Sequence, residues 1–333
     1  MKICVVGAGA IGGYMAARLC GAHDVSVIAR GPHLAAIRAN GLTLVEDEHE
    51  VVAQPQAATD RIRDLAPQDV VLLALKAHQI EAIVTDLPAL LGPETVIVTL
   101  QNGIPWWYFQ KLPGAYANRV VRAVDPEAVL YNSIDPDRII GCIAYPAAVV
   151  AKPGVIRHVE GNRFPLGELD GEESERVRAV ATVFTEAGFK ARILDDIRSE
   201  IWLKLWGNLT FNPISALTHS TLAGICQFPL TRQLAAAMMT EAQAVGERLG
   251  ATFRVPLERR IAGAESVGHH KTSMLQDVEA GKALEIGGML GAVVELADLV
   301  SVEVPTLRAL HACVSLLDKT LQDEHIRIVG IPS

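Results

Sequence analysis

Polar and apolar positions follow two different rhythms along the 333 residues. Up to residue 194, short unbroken apolar runs alternate with helical spacings. The runs at 1–6, 24–29, 69–75 and 95–100 predict parallel strands covered on both faces. Weaker runs at 41–45, 51–53, 119–124, 138–145, 154–159 and 163–166 predict further strands, with 191–194 closing the sheet. Residues 10–19 and 80–91 predict helices. So do 172–187, which carry Val177, Val180, Val183 and Phe184 on one face and Gly188 as a cap. From Asp195 the strand pattern disappears. Residues 197–210, 229–249, 273–278, 284–299 and 306–321 carry helical spacing, several opened by proline or a capping residue. The expected architecture is an α/β, doubly wound domain over 1–194, followed by an all-α domain over 195–333.

The first strand runs directly into Gly7-Ala8-Gly9-Ala10-Ile11-Gly12, a G-x-G-x-x-G pattern that opens a helix. Each glycine has a task in dinucleotide binding. Gly7 permits a tight turn, Gly9 lets the backbone approach a pyrophosphate, and Gly12 lets helix and strand lie close. The amides of Ala8, Ala10 and Ile11 then face the anion at the helix N-terminus. A glycine turn in another α/β protein is the plain alternative. A NAD site would place Asp or Glu after the second strand to accept from the ribose 2′-hydroxyl. Here the residues are Ala29-Arg30-Gly31, and no carboxylate follows until Glu46. A guanidinium suits the 2′-phosphate of NADP, so NADP(H) is the expected cofactor. A solvated surface arginine is the other reading.

Composition narrows the picture. A net charge of −8 and the lack of any Lys/Arg run exclude a nucleic-acid footprint. Half the residues are hydrophobic, but the longest apolar run, 139–151, contains Pro146 and is too short to span a bilayer. Five scattered cysteines without metal-ligand spacing predict small buried hydrophobes in a reducing compartment, and no metal site. With strand pattern from residue 2, the expectation is a cytoplasmic protein without a leader.

Two polar groups end apolar strands on the side where open α/β sheets bind ligands: Lys76, and Gln101-Asn102-Gly103. Lys76 reads equally as a snorkelling strand end, and Asn102-Gly103 as a turn. The helical part holds a sharper set. Lys204, Asn208 and Asn212 stand four residues apart and form one polar stripe. Trp202, Leu203, Leu205, Trp206 and Leu209 surround it. Solvated faces usually carry Glu, Lys and Arg, so a lysine between tryptophans and in line with two amides points to a proton donor. Ser273 resembles an N-cap, although a hydroxyl at a helix start also suits a substrate carboxylate. Glu285 precedes Ile286-Gly287-Gly288-Met289-Leu290-Gly291, where glycines admit another helix or a ligand. A glutamate in so apolar a segment needs a partner, and the stripe lysine is a candidate. His219, His269, His270 and His311 lack triad or metal spacing and read as surface or cap residues.

The sequence resembles the ketopantoate reductase family over nearly its whole length. The resemblance rests on G-A-G-A-I-G with Arg30, L-K-A-H-Q at 75–79 and Q-N-G at 101–103. It also rests on W-L-K-L-W-G-N-L-T-F-N-P at 202–213 and K-T-S-M-L-Q-D at 271–277 followed by Glu285. It implies a Rossmann domain, a helical domain and an active site in the cleft between them. By the same resemblance Lys204 is the general acid, and Asn102 binds substrate and helps place the nicotinamide. Lys76 and Gln79 contact the cofactor, Asn208 and Asn212 bond the substrate, and Ser273 holds its carboxylate. Glu285 partners the substrate hydroxyl and the lysine. The implied activity is NADPH-dependent reduction of a 2-oxo acid, ketopantoate first, with other 2-oxo acids or a non-catalytic NADP sensor as alternatives. A homodimer stays open as the assembly. The apolar segment 144–150 and His270 depart from the family pattern, which leaves the particular 2-oxo acid open.

Overall fold

The computed structural model describes residues 1–325. Eleven strands lie in two sheets: β1 (Lys2–Val6), β2 (Asp24–Ile28), β3 (Leu42–Glu46), β4 (His49–Ala53), β5 (Ala57–Thr59), β6 (Gln68–Leu73), β7 (Leu91–Thr99), β8 (Ile139–Cys142), β9 (Ala147–Lys152), β10 (Val155–Glu160) and β11 (Leu166–Glu168). The larger sheet runs β11-β8-β7-β6-β1-β2-β5, parallel throughout except for the antiparallel pair β11 and β8. Its order reverses at β1, so the topological switch point falls where β1 feeds the glycine loop. Ile3, Val5, Val70, Leu72, Val96 and Val98 are buried in its core, as continuous apolar runs require.

The second sheet, β4-β3-β10-β9, was not separated from the first by the apolar pattern. Strand β10 pairs parallel with β3 and antiparallel with β9. The helix Ala10–Leu19 touches strands of both sheets. That explains why Tyr14, Met15, Ala16, Ala17 and Leu19 are all buried: a helix covered on both sides is apolar nearly all round. Gly13 belongs to the same contact, for a Cβ there would stand 2.7 Å from the Ile156 side chain. The unusual apolar stretch at 144–150 is largely β9, with Ala148 packed against this core.

The described chain divides into two compact units. One holds residues 1–101, 106–120 and 127–197; the other holds 102–105, 121–126 and everything from 198 onward. The second unit is helical: Ile197–Thr218 supplies all but its first residue, followed by Leu222–Gln227, Pro229–Arg248, Leu257–Ser266, Ser273–Ala280, Ala292–Val300 and Pro305–Asp323. No helix among the described residues is long and apolar enough to cross a membrane.

Several local expectations fail for identifiable reasons. In place of the helix expected over 80–91, a helical turn Ala77–Ile80 is followed by two 3-10 turns, Glu81–Ile83 and Leu87–Leu90. Pro88 stands inside the second of these, where its missing N–H costs least. Residues 119–124 form no strand, because Glu295 takes up the amides of Arg122 and Ala123. Residues 284–299 are not one helix: a π-turn, Gly287–Gly291, precedes Ala292–Val300. The stretch 191–194 contributes one isolated bridge, Leu166 to Ile193. The cysteines are free thiols, but only Cys4, Cys142 and Cys226 are buried; Cys313 is exposed. Burial pushes the Cys4 thiol up to about 12.

Candidate active site

In the α/β unit the glycine loop is built by close approaches. Gly7 has φ +99°, and a Cβ there would stand 2.9 Å from the Ala74 carbonyl oxygen. At Gly12 it would meet the Gly7 carbonyl oxygen at 2.1 Å. Gly9 differs: nothing lies within 4 Å of its Cβ direction. It opens the helix Ala10–Leu19 with no side-chain cap on the first amides. An open direction beside uncapped helical amides fits a pyrophosphate. The amides of Gly7 and Ala8 bond to the Ile28 carbonyl at 3.1 and 3.0 Å, which secures the loop's base on β2. Arg30 follows β2, is exposed, and engages no carboxylate among the described residues.

Lys76 and Gln79 follow β6, both half-buried. The Lys76 amide donates to Gln79 Oε1 at 3.2 Å, closing the turn. Gln101 Nε2 donates to the carbonyls of Leu73 and Leu75, at 2.7 and 3.2 Å. It ties the end of β7 to the strand end that presses on Gly7.

His33 was missed by the sequence reading. The Gly154 amide donates to its Nδ1 at 3.0 Å, so the proton sits on Nε2, which donates to the Ala8 carbonyl at 2.7 Å. The ring thus bridges the glycine loop and the β9–β10 turn. No local signal marks it, because Gly154 lies far along the chain. The histidines singled out by sequence do less: the His270 carbonyl accepts from the Leu222 amide, and His219 is exposed at φ +58°.

The helical unit contains the stripe. Trp202 and Trp206 are fully buried on the opposite side of Ile197–Thr218. Trp206 donates its indole N–H to the Met239 carbonyl at 2.7 Å and meets Phe253 edge-on. This anchoring leaves Lys204 and Asn208 half-buried and Asn212 5 % exposed. Lys204 Nζ donates to Asn102 Oδ1 at 2.5 Å. Asn212 Nδ2 reaches Ser273 Oγ at 3.5 Å and Met289 Sδ at 3.8 Å. The Asn208 amide has no protein partner among the described residues, which leaves it available to a ligand. Glu285 is half-buried, two residues before the π-turn.

One assignment is corrected here. The N-cap of Ser273–Ala280 is Thr272, buried and accepting from the Leu275 amide. Ser273 is the first helical residue, exposed and free of capping duty. The unit therefore gathers an ammonium, three carboxamides and a hydroxyl, a donor-rich set suited to an oxygen-rich anionic ligand.

An α/β unit with a glycine loop at its switch point, followed by a helical unit with a polar stripe, is the architecture of a dinucleotide-dependent oxidoreductase. The description "Ketopantoate reductase PanE/ApbA" matches residues 3–171, and its C-terminal counterpart matches 196–318. A 2-dehydropantoate 2-reductase of Mesorhizobium japonicum is 53% identical over 319 residues, covering 95% of this chain and 98% of that one. A crystal structure from Ralstonia solanacearum MolK2 superposes with a TM-score of 0.91 at 38% identity, covering 96% of this chain and 98% of that one. The crystal structure of 2-dehydropantoate 2-reductase from Methylococcus capsulatus gives a TM-score of 0.81 at 28% identity, with coverage of 96% and 98%. The chain belongs to the ketopantoate reductase PanE/ApbA family.

Proposed function

We propose that this chain reduces 2-dehydropantoate (ketopantoate) to pantoate with NADPH, a step of pantothenate and coenzyme A biosynthesis. Membership of the family and the 53% identity to the Mesorhizobium enzyme support the reaction. Bound NADPH supplies a hydride to the ketone carbon. Gly7, Ala8, Gly9, Ala10, Ile11 and Gly12 hold the pyrophosphate, and the open direction at Gly9 supports this. Arg30 takes the 2′-phosphate, while Lys76, Gln79 and Asn102 complete the cofactor contacts.

Lys204 Nζ donates a proton to the substrate oxygen as its charge develops, and its own charge stabilises that oxygen beforehand. Asn102 Oδ1 holds the ammonium in place, and the 2.5 Å hydrogen bond carries this reading. Asn208 and Asn212 bond the substrate, Ser273 takes its carboxylate, and Glu285 receives the product hydroxyl. Proton and hydride together balance the conversion of ketone to alcohol.

The deciding experiment is NADPH oxidation followed with ketopantoate and a panel of other 2-oxo acids. Ketopantoate is expected to give the highest kcat/KM; a clearly better analogue moves the assignment to that acid. Lys204→Ala is expected to lower kcat by roughly 10²–10⁴-fold, the usual worth of a positioned proton donor. NADPH affinity stays within a few-fold, because Lys204 belongs to the helical unit. Lys204→Arg does not restore turnover, since guanidinium holds its proton. A folded Lys204→Ala enzyme with ordinary kcat ends the assignment.

A further inference from the structure

The glycine-rich segment after Glu285 is built around protein contacts, all within the helical unit. Gly103, next to Asn102, has φ +84°, and a Cβ there would stand 2.1 Å from the Gly288 carbonyl oxygen. That same oxygen accepts the Ile104 amide at 2.7 Å. A Cβ on Gly288 would in turn lie 3.2 Å from the Asn102 carbonyl oxygen.

The π-turn presents this acceptor. An α-helix would aim the Ala292 amide at the Gly288 carbonyl. Here Ala292 bonds to Gly287 instead, and Gly291 bonds to Ile286. Such π-bulges recur at functional sites. The second leg of the same dock is Ala123. Its carbonyl lies 2.6 Å from where a Gly287 Cβ would be. Its amide and that of Arg122 donate to the two carboxylate oxygens of Glu295, at 2.6 and 2.8 Å. Met289, in the same turn, touches Asn212 through its sulfur.

We propose that Gly287, Gly288 and Glu295 are positioning residues: they form a backbone dock that sets Asn102 against Lys204. The proposal rests on Lys204 being the proton donor. For the proton transfer, Asn102 Oδ1 must stay within hydrogen-bond reach of Nζ. The bare Gly103–Gly288 contact and the Ile104–Gly288 hydrogen bond hold the Asn102 loop directly, while the Glu295 clamp fixes Ala123 against Gly287, the neighbour of Gly288. Side chains at either glycine would push the loop outward and lengthen the Asn102–Lys204 hydrogen bond.

The test is kinetic, on the full-length enzyme with NADPH and the preferred 2-oxo acid. Gly288→Val is expected to lower kcat by about 10- to 100-fold, the scale of an ångström-sized misplacement. Its NADPH Kd and its kcat pH profile should change in the same way as those of Asn102→Ala. The decisive reading is the double variant. If the dock acts through Asn102, adding Gly288→Val to Asn102→Ala lowers kcat no further, within about two-fold. Multiplying losses overturn the proposal, as does an unchanged kcat in Gly288→Val. Should Gly288→Val fail to fold, Glu295→Gln serves. It is isosteric, removes one amide acceptor, and should show the same non-additivity with a smaller fall. Lys204→Ala separates the two levels. If that variant keeps its kcat, the donor assignment fails. If it is inactive while the dock variants multiply with Asn102→Ala, only the dock fails.

Discussion

At Gly9 in the α/β unit the direction a Cβ would take is open for 4 Å, whereas at Gly103 in the helical unit it ends on a carbonyl oxygen 2.1 Å away. Both glycines sit in motifs the sequence marked: Gly9 in the glycine pattern, Gly103 in the Gln101-Asn102-Gly103 turn after β7. At Gly9 the missing side chain leaves open space. The helical unit omits one so that two stretches of its own backbone can touch. In the proposed function one site works through exposed backbone amides, and the other through side chains that bare backbone aims.

That contrast can be broken by substitution. Within the glycine loop, Gly12→Ala drives a Cβ into the Gly7 carbonyl and should cost about 3 kcal/mol or more of stability. Gly9→Ala, where the space is open, should leave stability within about 0.5 kcal/mol. It should nevertheless weaken NADPH by about ten-fold, the loss of a charge-assisted amide contact. Thermal melts and NADPH titrations on both variants check this; a destabilised Gly9→Ala would remove the distinction.

Next in size is Arg30. A charge-assisted hydrogen bond contributes roughly 1.5–3 kcal/mol, so Arg30→Ala should raise the NADPH Kd by about one to two decades. NADH binding should barely change, and equal losses for both cofactors would withdraw the 2′-phosphate role. The smallest effects separate two neighbours in the helical unit. Thr272→Ala removes the cap and should cost about 1 kcal/mol with KM unaltered. Ser273→Ala should raise KM more than it lowers kcat, leaving the melting temperature in place. A reversed pattern would return Ser273 to a structural role.

What the sequence revealed follows the same division. The glycine loop and the parallel strands were legible because their constraints are local: a turn, a helix start, a strand buried on both faces. The Lys204–Asn208–Asn212 stripe was legible because helical periodicity puts it on one face, and the tryptophans behind it mark the buried side. The second sheet was not, because β3 and β10 pair across more than a hundred residues, and exposed valines in β4, β9 and β10 (Val51, Val52, Val150 and Val159) blur the alternation. His33 escaped for the same reason: its partners, Ala8 and Gly154, lie at separations no spacing rule covers. The π-turn was concealed by apolar spacing that continues through it. The cap assigned to Ser273 belongs one residue earlier, because Thr and Ser both carry a hydroxyl that can accept from the third residue on.

The pairing of β10 with β3 also sets a schedule for synthesis. The helix behind the glycine loop rests on Ile156 at Gly13, and the loop's Ala8 carbonyl is held by a histidine that is itself held by Gly154. The glycine loop is translated well before β10 and cannot be braced until β10 has emerged from the ribosome. Such long-range closure slows folding and leaves the β3–β4 hairpin unpaired on one side in the meantime. Fragments ending before β9 should therefore carry the whole glycine signature and still fail to retain NADPH.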